Sequence, residues 1–168
     1  MPQFAGIGTS SESRRLSYAD GVSQPPTVQH FEWGQQTVTS ATELAKQLGE
    51  TVWVPSEWPA VLSGPEFVLM LALEATLNRQ NGYHLRGVDA EGRLLVVSGS
   101  QRLPGNLESG LRAVPGERFE TLVRPDYLGG PHVVVRAHVF DVHISGDALS
   151  HEEALDLARR LVETTAGP

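Results

Sequence analysis

The run from His132 to Ser145 constrains the fold more than any other stretch of this chain. Its apolar residues change parity midway: Val133, Val135 and Ala137 occupy odd positions, whereas Phe140, Val142 and Ile144 occupy even ones. Side chains alternate between the two faces of a strand, so one unbroken strand cannot hold both sets against one core. The chain must break near His138 into two strands, His132–Ala137 and His138–Ser145, joined by a tight turn or bulge. A capped helix follows at once. Ser150 and Glu153 have capping-box spacing, Glu152 and Glu153 suit the positive end of the helix dipole, and Leu155, Ala158, Leu161 and Val162 form a core-facing stripe. Together they predict a helix over 151–163.

A second helix is marked over 41–48. Ser40 and Glu43 again have capping-box spacing, Leu44, Ala45 and Leu48 supply the apolar face, and Gly49 accepts the left-handed conformation that stops it. Thr51–Val54 then reads as a short strand, closed by Pro55 and by Trp58-Pro59. Strands follow at 83–88, 93–98 and 118–124, with turn signals at Asn81-Gly82 and Asp89–Gly92. The segment 66–78 is taken as the first strand of a meander, although its Leu, Met, Ala and Glu content keeps a helix open as the alternative. A further short strand is expected at 28–33. Strands bracketed by two helices, without βαβ alternation, define an α+β fold. The expectation is a mainly antiparallel sheet of about five to six strands with helices 41–48 and 151–163 packed on it. Residues 1–27, rich in Ser, Gly, Gln and Pro, read as a flexible N-terminal arm, leaving 28–165 as a single domain.

Composition narrows the chemistry. The chain has no cysteine, which removes thiolate metal sites, catalytic thiols and disulfides together. Its net charge of −7 repels phosphate backbones, and its positive charges form no stripe, so nucleic acid is not an expected partner. The longest apolar run, Phe67 to Leu73, is far short of the about 20 residues that span a bilayer, so no membrane insertion is expected. Met1 to Leu16 carries no signal-peptide core. A cytoplasmic protein is the resulting expectation; an extracytoplasmic one would need a leader beyond this chain.

The nearest approach to a catalytic set is Asp141, His143 and Ser145, alternate residues on one strand face. Such neighbours lie roughly 6.5–7 Å apart, too far for a Ser–His–Asp relay without bending inward, and no Gly-x-Ser-x-Gly elbow is present. They are expected to be the wet face opposite Phe140, Val142 and Ile144. The six histidines include no His-Glu-x-x-His pair, and Gly6-Ile-Gly8 lacks the third glycine of a nucleotide fingerprint, so neither a metal site nor a cofactor is predicted. Trp53 suits a core anchor. If exposed, it would form a contact surface with Trp58 and Trp33, because aromatic side chains carry much of the energy at interfaces.

Three pieces, in order, resemble a known family. They are the helix Ala41–Leu48 leading into Val52-Trp53-Val54-Pro55, the meander after it, and the closing strand Phe140–Ile144 with Ser145-Gly146, the Leu149-Ser150 cap and Glu152-Glu153-Ala154 through Ala158. Over about residues 37–165 this is similar to a bacterial domain of unknown function that often forms the extracytoplasmic part of anti-sigma-like membrane proteins and lipoproteins. The family usually has Leu-Pro-x-Gly after its proline, where this chain has Ser56-Glu57-Trp58-Pro59, and it usually sits behind a membrane anchor. It has no established catalytic residues, so the resemblance implies none.

The resulting expectation is a non-enzymatic binding or protein-interaction module for a partner protein or small ligand, with a homodimer as one form of it. Two alternatives stand beside it. One is a chamber for a small molecule, lipid or peptide; the other is a small hydrolase-like enzyme using Asp141, His143 and Ser145 or a histidine cluster.

Overall fold

A computed structural model describes residues 33–72, 81–102, 110–125 and 129–168. The side chains of Trp33 and Ala72 are outside that description, as are the arm expected over 1–27 and almost all of the strand expected at 28–33. In chain order the elements are β1 (Trp33–Val38), α1 (Ala41–Leu48), β2 (Val52–Pro55), β3 (Glu66–Ala72), β4 (Gly82–Val88), β5 (Leu94–Gln101) and β6 (Arg112–Val114). They continue with β7 (Glu120–Val123), β8 (His132–Ala137), β9 (Phe140–Ser145), α2 (His151–Arg159) and β10 (Leu161–Thr164). Eight strands form one sheet in the order β1-β3-β4-β5-β9-β8-β7-β6, antiparallel throughout; β10 and β2 form a separate antiparallel pair.

The α+β architecture and the antiparallel sheet are as expected, but the strand count is not. Ten strands, rather than five to six, are present among the described residues. Three of the strands are ones that sequence patterns mark poorly: β1 is largely polar, β6 has three residues, and β10 occupies sequence that reads as helix. The helix expected over 151–163 ends at Arg159, after which Leu161 pairs with Pro55 and Thr164 with Val52. Cross-strand pairing with β2 overrides the helical preference of Arg-Arg-Leu here. The buried stripe of α2 is accordingly Ala154, Leu157 and Ala158, and Val162 is exposed. At 66–78 the expected strand is present as Glu66–Ala72, and residues 73–78 lie outside the described residues.

Local signals did fix the helix starts. Ser150 accepts from the Glu153 backbone while Glu153 accepts from the Ser150 backbone at 2.7 Å, a complete capping box. At α1 the box is half made: Ser40 accepts from the Glu43 backbone at 3.1 Å, but the Glu43 carboxylate accepts from Gln47 instead. The parity change in the His132–Ser145 run is resolved by a two-residue turn at His138-Val139, with His138 at φ 54°.

The main core lies between one face of the large sheet and the layer of α1, β2, α2 and β10. Leu69, Leu85, Val97, Val135, Val142 and Ile144 from the sheet meet Leu44, Val52, Trp53, Leu157 and Leu161. β2 has a strand partner on one side only, and Tyr83 serves its other side. The Tyr83 hydroxyl accepts from the Trp53 N–H at 3.0 Å and donates to the Trp53 carbonyl. Burial pushes this phenol well above its ordinary range, which keeps the proton it must donate. Gly99 stands opposite Tyr83 across β4 and β5, and a Cβ there would collide with the phenol ring. The glycine therefore makes room for the residue that joins the two sheets.

Candidate functional site

Asp141, His143 and Ser145 lie on the sheet face away from the main core, as the alternation of β9 dictates, with Phe140, Val142 and Ile144 buried opposite. Their side chains serve different neighbours. Asp141 accepts from Arg102 at 2.9 Å and lies 3.6 Å from Arg136. Nδ1 of His143 faces Nε2 of His132 at 3.1 Å, with the rings stacked 5.4 Å apart. Ser145 is in register with Val96 on one side and His132 on the other. A relay would need the carboxylate to hold the imidazole; here two guanidiniums hold the carboxylate. Strand parity alone does not reveal the His132–His143 contact, because the hairpin turn sets which residues of β8 and β9 meet.

This face is not a free surface. Register places Val68, His84, Ser98, His143, Val134 and Leu122 in one row across β3, β4, β5, β9, β8 and β7, and Val68, Val134 and Leu122 are buried. His84, in the same row, is held below its ordinary value by burial, with the Arg86 guanidinium adding to the effect. His132 and His143 supply two imidazoles where zinc usually takes three or four ligands, and no larger metal-holding group occurs among the described residues.

The tryptophans divide. Trp53 is 2% exposed, with Phe119 edge-on at 5.1 Å, His138 at 5.7 Å and the Arg118 guanidinium over its ring. It offers no contact surface in the folded protein, because β2 is buried on both faces, Val52, Trp53 and Val54 alike. Trp58 is half-buried and acts as a strut. Its indole N–H donates to the Ser63 carbonyl at 2.9 Å, and its ring packs where Gly87 has no side chain. Trp33 contributes backbone to β1, paired with Ala72.

An open cleft of about 350 Å³ lies between α2 and the loop carrying Pro59 and Val61. Both ends of this loop are tied down. The Ser56 N–H donates to the Arg160 carbonyl at 2.8 Å, and the Ser63 N–H donates to the Val88 carbonyl at 2.8 Å. Leu62 plugs into the core, while Val61 beside it is 73% exposed. Leu149, Leu157 and Pro59 give the cleft apolar walls, and the outward face of α2 adds Glu152, Glu153 and Asp156.

The two arginines lining the cleft are already engaged. Arg159 binds both carboxylate oxygens of Glu117, and Arg160 reaches Asp156 at 3.1 Å and Glu57 at 3.6 Å. The Ser150 backbone N–H, and then its hydroxyl, hold the Glu153 carboxyl below its usual range. The sequence marks the acids of α2 and the Pro-flanked loop separately. It does not mark the cleft, which exists because β10 turns back along β2 and brings Arg160 to the loop.

Compared with protein-family models, with curated proteins and with solved structures, the chain matches none.

Proposed function

We propose that this domain acts by binding a segment of another protein in the cleft between α2 and the 58–62 loop. The observation that carries this is Val61: an aliphatic side chain 73% exposed on a loop anchored at both ends, beside walls of Leu149 and Leu157. Isolated exposed apolar residues are ordinary on protein surfaces; one that lines an apolar cleft on a loop anchored at both ends is the arrangement of a contact residue. The size is at the small end of ligand sites, and the openness and charged rim favour a peptide over an enclosed small molecule.

A random-peptide display selection on the purified domain tests this, followed by fluorescence anisotropy with the selected peptides. Val61→Asp is expected to weaken their binding by about tenfold or more. Val139→Asp, at a turn position that is 63% exposed but outside the cleft, should leave it unchanged. A selection yielding only peptides indifferent to Val61→Asp would remove the cleft from consideration.

A further inference from the structure

We infer, resting on the cleft reading above, that its occupant is a short basic and aliphatic peptide segment: an aliphatic side chain with Lys or Arg within a residue or two. The aliphatic part follows from Val61, Leu149 and Leu157. The basic part follows from the charges. Counting the cleft lining and the groups paired to it, five carboxylates (Glu57, Glu117, Glu152, Glu153 and Asp156) stand against two guanidiniums, Arg159 and Arg160. Both guanidiniums are occupied: Glu117 grips Arg159, and Asp156 and Glu57 share Arg160. Glu152 makes no close ion pair among the described residues, although its charge acts on Arg159 from farther off.

Glu152 and Asp156 are four apart on α2, so their side chains project from the same helix face about 5–6 Å apart at Cβ. An incoming cation thus meets Glu152 beside the apolar wall, next to Asp156, which is shared with Arg160. A peptide with an acidic flank would bring like charge to the same place, which costs affinity and slows encounter. The whole chain's net charge of −7 steers association in the same direction.

Three sets of short synthetic peptides sharing a Leu-Val centre, flanked by Lys, by Gln or by Glu, distinguish the outcomes by fluorescence anisotropy. The Lys set should bind at least about tenfold tighter than the Gln set, and the Glu set more weakly still. Raising salt from about 0.05 M to about 0.5 M should erase most of that preference. Glu152→Gln should reduce it and Glu152→Lys should abolish it, with thermal melts confirming that each variant folds.

If the Gln or Glu set binds as tightly as the Lys set, and Val61→Asp still abolishes binding, the basic occupant is wrong while the cleft stands. If sedimentation shows a dimer that Val61→Asp dissociates, the occupant is a second copy of this chain and the peptide assignment falls. If neither these sets nor the display-selected peptides respond to Val61→Asp, both inferences fall.

Discussion

Trp53 and Val61 stand on neighbouring stretches of the chain and are treated in opposite ways. Around Trp53 every group has a structural use: the ring is enclosed by Phe119, His138 and Arg118, and the backbone N–H and carbonyl are both met by Tyr83. Around Val61 the loop is secured by the Ser56–Arg160 and Ser63–Val88 hydrogen bonds, by Trp58, by the Leu62 N–H donating to the Pro59 carbonyl, and by Leu62 in the core. The Val61 side chain itself stays 73% exposed. A large apolar residue with all its neighbours satisfied stabilises the fold; a small one held out over a cleft adds little to stability. The difference separates the residues that build this domain from those available to a partner.

Replacing Trp53 gives the sharpest way to break that comparison. Trp53→Ala should cost about 3–5 kcal/mol in urea unfolding, because it removes a fully enclosed aromatic side chain from between two layers. A loss below about 1 kcal/mol would show that the ring is not a principal anchor of the core. Tyr83→Phe comes next. It keeps the ring over Gly99 but leaves two buried backbone groups of Trp53 without their partner, which should cost about 1–3 kcal/mol. If the variant is as stable as the parent, the phenol bridge does not hold β2 to the sheet.

The sequence shows the local half of this contrast and conceals the rest. The helix starts were legible because Ser40 and Ser150 act on amides within their own first turns, and the β8–β9 break was legible because parity is a property of adjacent residues. β10 was not, since Leu161–Thr164 is a strand only by virtue of β2, a partner remote in sequence. For the same reason the sequence could suggest Trp53 as a core anchor without excluding it from a contact surface. Two features of the candidate site were recognisable beforehand, the acidic first turn of α2 and the Pro-flanked loop. Their meeting was not, because it depends on α2 stopping at Arg159 and on the Arg160 carbonyl reaching Ser56.

Smaller effects test how evenly stability is distributed away from Trp53. Ser150→Ala removes one half of the α2 capping box and should cost about 0.5–2 kcal/mol by chemical denaturation. An unchanged midpoint would mean that β10 alone fixes the position of α2. His84 should add a pH dependence. Its folded value is depressed by burial and by Arg86, so the unfolded chain binds the proton more readily. Stability present above the ordinary histidine value is therefore lost as pH falls through it toward the depressed folded value. Urea unfolding near pH 7 and near pH 5 should show wild type losing more stability on acidification than His84→Gln. Equal losses would mean that the imidazole is not shielded on the outer face.

The smallest expected change in stability belongs to Val61, and it bears most directly on function. Val61→Asp places a charge on a side chain that is already 73% exposed, so it should shift stability by no more than about 0.5 kcal/mol. The loop remains tied through backbone atoms and through Trp58, none of which the substitution touches. Trp53→Ala should therefore weaken the fold severely, while Val61→Asp should leave the melting temperature intact and weaken peptide binding by about tenfold or more. Were Val61→Asp instead to destabilise the domain by more than about 1 kcal/mol, Val61 would be a packing residue. The contrast between the closed aromatic core and the open cleft would then no longer separate structure from function.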